Sequence, residues 1–215
     1  MKKLLVVAVA VSMVLMATSA FALIAGSKHD LSLTTGGSNS VHADNTTLSS
    51  CQFCHTPHNG VAVAGAPLWN RTLPNTTYTF YATAAASTTA FDGGLGPNSL
   101  TCLSCHDGTV SVGDVLVGTD GVFTANANVN ADGTLGATQY NLGTDLTNDH
   151  PVGFVVDDQS GKAGLTNIAA MQTAGAKFYT GRMECATCHD PHQTTYGKFL
   201  RWSGGSMCSD CHALK

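Results

Sequence analysis

Cys51-Gln52-Phe53-Cys54-His55 opens a pattern that returns three times, as Cys102-Leu103-Ser104-Cys105-His106, Cys185-Ala186-Thr187-Cys188-His189 and Cys208-Ser209-Asp210-Cys211-His212. All eight cysteines of the 215-residue chain fall in these four copies. Each copy sets two thiols at the ends of one short turn with a histidine directly after. That is the arrangement of a c-type haem attachment site, with two thioether bonds to the vinyl groups and an imidazole under the iron. Zinc sites also pair cysteines, and an exported chain can form disulfides, but neither needs a histidine after every second cysteine. The spacing predicts four covalent haem c groups on Cys51 and Cys54, Cys102 and Cys105, Cys185 and Cys188, and Cys208 and Cys211. His55, His106, His189 and His212 are then the proximal iron ligands.

The N-terminus carries Lys2 and Lys3, an apolar run from Leu4 to Ala17, and Ala20-Phe21-Ala22. These are the parts of a secretory signal peptide over residues 1–22, cleaved after Ala22. The run is shorter than the ~20 residues of a membrane-spanning helix, and nothing later is longer and as apolar. Export agrees with haem attachment, which takes place outside the bacterial inner membrane. Removing Lys2 and Lys3 leaves 8 Lys and Arg against 14 Asp and Glu, a formal charge of −6. That balance opposes a nucleic-acid partner.

Residues 23–215 must therefore serve four haems with 193 residues, about 48 each, read here as a single domain. Only 11% of the residues are charged, and Gly, Ala, Thr, Asn and Ser are abundant, which favours loops over long amphipathic helices. The expected fold is mostly coil, organised by its haems, with a few short helices and minor short β-strands. Helices are expected over Thr83–Ala90 and Leu165–Tyr179, with one helical turn at each attachment motif. Short strands are expected where Val110, Val112, Val115, Val117 and then Val122 and Phe123 lie between turn signals.

Nine histidines are present, so His29, His42, His58, His150 and His192 remain for four second axial positions. His58 follows His55 by three residues and His192 follows His189 by three, with Pro57 and Pro191 stiffening the links. Three residues span at most ~10 Å, too little for two trans imidazoles on one iron. His58 and His192 must each reach a haem held by another motif and so pin two macrocycles side by side. His150 is a distal ligand candidate, kept extended by Pro151 and open to orientation by Asp149. One of His29 and His42 is spare or serves a neighbouring subunit. Met171, Met183 and Met207 are the competing ligands and are equally explained as packing residues.

The strings Gly26-Ser27-Lys28-His29-Asp30-Leu31-Ser32, Cys51 to Asn59, Asp149-His150-Pro151-Val152 and Cys185 to His192 resemble the exported multihaem cytochromes of metal-reducing bacteria. A tetrahaem chain of this length is most similar to the filament-forming, OmcE-like and OmcS-like nanowire cytochromes. The resemblance implies a coil-rich protomer with bis-histidine haems in a continuous stack. It further implies a homo-polymer with haem contact across subunits, in which His29 or His42 is donated to a neighbour. The expected function is electron transfer by haem-to-haem hopping at the cell surface or outside it, toward redox partner proteins or metal oxides, with no catalytic amino acids. A periplasmic monomeric shuttle and a reductase with one open haem position are the alternatives.

Overall fold

Short segments between closely spaced turns leave little room for regular structure, and a computed structural model of the chain bears this out over residues 24–32, 41–43, 48–80, 94–156 and 164–212. The leader and the helix expected over Thr83–Ala90 lie outside the described residues. Most of the chain is coil. Among the described residues the regular elements are β1 (Val61–Val63), β2 (Ala66–Trp69), α1 (Pro97–His106), β3 (Phe154–Val155), α2 (Ile168–Ala174), β4 (Arg182–Met183), α3 (Cys185–Cys188) and α4 (Gly204–Cys211). The strands make two antiparallel pairs, β1 with β2 and β3 with β4. No helix among the described residues is long and apolar enough to cross a membrane.

The loops hold themselves by side-chain to backbone bonds. In Asp107-Gly108-Thr109, Asp132-Gly133-Thr134 and Asp145-Leu146-Thr147 the aspartate Oδ1 accepts from both the N–H and the hydroxyl of the threonine. Such turns offer the backbone an alternative to a ladder. The strands expected between Val110 and Phe123 do not form for a related reason. The Arg71 guanidinium takes the Ser111 and Val112 carbonyls, and the Asn70 side chain takes the N–H and C=O of Val117. Backbone groups that would have paired with a neighbouring strand are thus already engaged.

The helix expected over Leu165–Tyr179 is realised only as α2. Asn167 caps it, its side chain accepting from Ala170 N at 2.9 Å. It stops at Gly175, which has φ +132° and lies against the Trp202 ring. α1 is longer than the single turn expected at the second motif, and Pro97 in its first turn is the signal for its start.

Among the described residues two small apolar clusters form the core. One gathers Val156, Met171, Ala176, Met183, Trp202 and Cys211, with Met207 packed on it. The other gathers Ala43, Leu48, Phe53 and Val115. The first lies around the third and fourth motifs and the second around the first. All three competing methionines therefore belong to, or pack on, a cluster.

Candidate cofactor-binding sites

Each attachment motif folds so that its histidine follows from the turn holding its cysteines. The His55, His189 and His212 N–H groups donate to the carbonyls of Cys51, Cys185 and Cys208 at 2.9, 3.0 and 2.7 Å. Three motifs lie on α1, α3 and α4 or at their ends, whereas the first is an isolated turn. None of the eight cysteines is joined to another in a disulfide. Among the described residues no group of three or more His, Cys, Asp or Glu side chains is arranged to hold a metal ion by itself.

Backbone carbonyls fix the tautomer of three proximal rings. The Nδ1 of His55 donates to Pro67 O at 2.8 Å, that of His106 to Tyr140 O at 2.7 Å, and that of His189 to Lys198 O at 2.9 Å. A carbonyl can only accept, so Nδ1 carries the proton and Nε2 keeps its lone pair for a metal. The first and third motifs achieve this with straps of the same construction. Thr56 N donates to Leu68 O and Asn70 N to Cys54 O, and correspondingly Asp190 N donates to Phe199 O and Arg201 N to Cys188 O. Leu68 and Phe199 occupy the left-handed region at φ 58° and 57°, uncommon for residues other than glycine. The straps Pro67-Leu68-Trp69 and Lys198-Phe199-Leu200 share almost no sequence. No residue pattern would have revealed them.

Three proximal histidines face a second histidine. His55 and His192 have ring centres 6.2 Å apart and planes 19° apart; His29 and His106, 6.1 Å and 81°; His150 and His212, 6.4 Å and 67°. Two imidazoles on opposite sides of one iron have centres about 6 Å apart, taking metal to nitrogen bonds of ~2 Å and the ring radius. The three pairs fit that span. His192 faces the proximal histidine of the first motif, not that of its own. His29 faces His106 of the same chain and also stacks on Phe199 at 4.1 Å. His58 is exposed, and among the described residues its ring meets no other. His42 is exposed, with Nδ1 3.4 Å from Ala43 O. The His150 Nδ1 lies 3.1 Å from Pro151 O, which supplies the orienting contact expected of Asp149.

The chemistry of these rings suits a metal. Burial, reinforced by His106, His189 and His192, lowers the His29 pKa to about 4, so its ring is neutral and nucleophilic at neutral pH. Partial desolvation of the ring likewise lowers that of His150, although the residue reaches the surface. Two buried polar atoms beside these pairs, His29 Nδ1 and Trp69 Nε1, have no hydrogen-bond partner. Such atoms are rare unless a group outside the polypeptide completes them.

The attachment cysteines of different motifs also approach one another. Burial pushes the Cys54 thiol up to about 12, and Cys105 adds to the shift. Cys102 shares a hydrogen bond with Cys185 that keeps the proton on Cys102. Burial, then Cys211, raises Cys188 to about 11. Through the Cys102 and Cys185 bond the second and third motifs are in contact at their sulfurs. α1 and α3 are docked by Glu184 and Ser99: Ser99 N donates to Glu184 Oε2 at 2.7 Å, and Cys185 N donates to Ser99 Oγ at 3.1 Å.

Residues 179–215 match the family of the doubled CXXCH motif, which takes in the third and fourth attachment sites. No curated protein matches the chain. The match and the four motifs indicate binding of covalent haem c, as found in multihaem c-type cytochromes.

Proposed function

We propose that the protein is an exported electron carrier holding four haem c groups, each between two histidines. The observation that carries this is the set of three facing histidine pairs at 6.1 to 6.4 Å, each containing one attachment-motif histidine. Cys51 and Cys54, Cys102 and Cys105, Cys185 and Cys188, and Cys208 and Cys211 hold the groups. The axial pairs are His55 with His192, His106 with His29, and His212 with His150. His58 meets no other ring among the described residues, and its place three residues after His55, like that of His192 after His189, makes it the candidate for the remaining position opposite His189. His42 is then the ninth, spare histidine.

When bound, each haem supplies a one-electron ferric/ferrous couple. The residues hold, orient and shield it. The carbonyls of Pro67, Tyr140 and Lys198 keep three proximal rings in one tautomer and one rotation, so both oxidation states meet the same ligand set. Histidine on both sides, with the three methionines in or against the apolar core, favours low potentials. No amino acid is assigned a catalytic role. The contact between Cys102 and Cys185 and the His192–His55 pair tie the third site to the second and the first, which supports passage of electrons among them.

The filament belongs to the same proposal. His150 and His212 are both exposed, so the last redox site lies where another copy can approach it. Carbon monoxide titration of the reduced holoprotein tests the ligation. No binding is expected, whereas one equivalent bound would favour a reductase with an open iron. Sedimentation and electron microscopy of secreted material test the polymer, and a monomer would leave a periplasmic shuttle.

A further inference from the structure

The straps of the first and third motifs run on into a second shared arrangement. Asn70 and Arg201 follow the two straps, and each binds the first spacer residue of its own motif: Asn70 Nδ2 donates to Gln52 O at 2.7 Å and Arg201 Nε to Ala186 O at 2.8 Å. The next residue in each case reaches the second spacer residue of the following motif. Arg71 donates to Ser104 Oγ at 3.3 Å and Ser104 O at 3.2 Å, within Cys102-Leu103-Ser104-Cys105. Trp202 Nε1 donates to Asp210 Oδ2 at 3.0 Å, within Cys208-Ser209-Asp210-Cys211. Asn70, Arg71 and Trp202 are 0%, 1% and 6% exposed. Asn70-Arg71 and Arg201-Trp202 therefore occupy equivalent places with unlike side chains.

Each contact completes what the attachment turn leaves open. In the last turn of α1 the carbonyls of Leu103, Cys105 and His106 accept from the N–H groups of Asp107, Gly108 and Leu142. That leaves the Ser104 carbonyl, one of the four that a helix end cannot pair by itself, and the Arg71 guanidinium takes it. The same planar fork donates to Ser111 O at 2.6 Å and Val112 O at 2.9 Å. This stretch then returns to the first site, where Asn70 binds the N–H and C=O of Val117 at 2.9 and 3.0 Å. On the other side, the Trp202 ring lies in the apolar cluster with Met171, Met183 and Cys211, and the Asp210 carboxylate is the acceptor for its N–H. The middle of a Cys-x-x-Cys turn lies between two thioether bonds, so holding that turn holds the macrocycle bonded to it.

We propose that Asn70-Arg71 and Arg201-Trp202 are matching clasps, the first setting the second haem against the first and the other setting the fourth haem against the third, so that the protomer is built as two haem pairs of like internal arrangement. In a hop one electron leaves a ferrous iron and reduces the ferric iron beside it, with no bond or proton exchanged. The rate falls steeply with the gap between haem edges, so the clasps act on transfer by fixing that gap and the angle between the rings. They are positioning residues, bound to the attachment turns. The inference rests on the four-haem reading above. A chain with no covalent haem sinks that reading, whereas a haem-loaded chain whose haems keep their mutual geometry without the clasps sinks only this one.

Circular dichroism of the holoprotein in the Soret region is the test, because haems held at short fixed separation couple their transitions and give paired positive and negative lobes. The parent is expected to show such a couplet. Arg71→Lys keeps the charge but not the fork, and Trp202→Phe keeps an aromatic ring but no N–H. Each is expected to lose part of the couplet, and the double variant more than either, with four haems by mass and unchanged low-spin signals in electron paramagnetic resonance. Asn167→Ala weakens α2, whose Met171 shares the Trp202 cluster, without touching a clasp, and is expected to keep the parent couplet. A parent without a couplet, or a full couplet in either single variant, would overturn the proposal. An equal loss in Asn167→Ala would assign the signal to general loosening and overturn it as well. Should Arg71→Lys fail to take up four haems, Trp202→Phe, the milder change, decides alone.

Discussion

His192 carries more structural information than any other single residue, because its ring faces His55 across 6.2 Å although 137 residues separate them. Three residues from His189, it is too close in the chain to serve its own motif and is free to serve another. Replacing it by alanine should leave four covalent haems but open one iron, so that the reduced protein binds one equivalent of carbon monoxide where the parent binds none. Absence of binding would show that His192 is no ligand. His150 invites a milder change. Methionine at that position should keep the haem content and raise one site's potential, since thioether ligation stabilises ferrous iron relative to imidazole; an unchanged redox titration would remove His150 from the ligand set.

At the scale of elements, short helices depend on their ends. α2 has seven residues and owes its first turn to the Asn167 side chain, so Asn167→Ala should cost about 1 kcal/mol, read as a lower denaturation midpoint with haem content unchanged. The Asn167 cap, the Gly175 stop and Pro97 at the start of α1 are local signals that the expected bounds did not use. The four attachment turns were legible because their chemistry constrains residue type as well as spacing. The straps were not, since their working groups are the carbonyls of Pro67 and Lys198, brought round by left-handed Leu68 and Phe199, and any residue has a carbonyl. Valines 110 to 117 alternated like strand residues, yet no strand forms, because Arg71 and Asn70 bind that stretch across 40 to 47 positions. Long-range polar capture of this kind leaves no local periodicity to read.

At the scale of the molecule, the two apolar clusters found among the described residues contain six and four buried residues. On the proposed reading, the flat apolar haem faces supply much of the remaining core. The chain produced without haem attachment is thus expected to lack fixed tertiary structure, seen as loss of near-ultraviolet circular dichroism and rapid proteolysis; a haem-free chain with a cooperative unfolding transition would argue that the polypeptide folds unaided. Everything about ligation, path and potential depends on covalent attachment at all four motifs. Intact-mass measurement of the purified secreted protein tests this most directly: the account predicts the mature chain plus four haem masses, and a mass with no such additions, or with fewer than four, would contradict it.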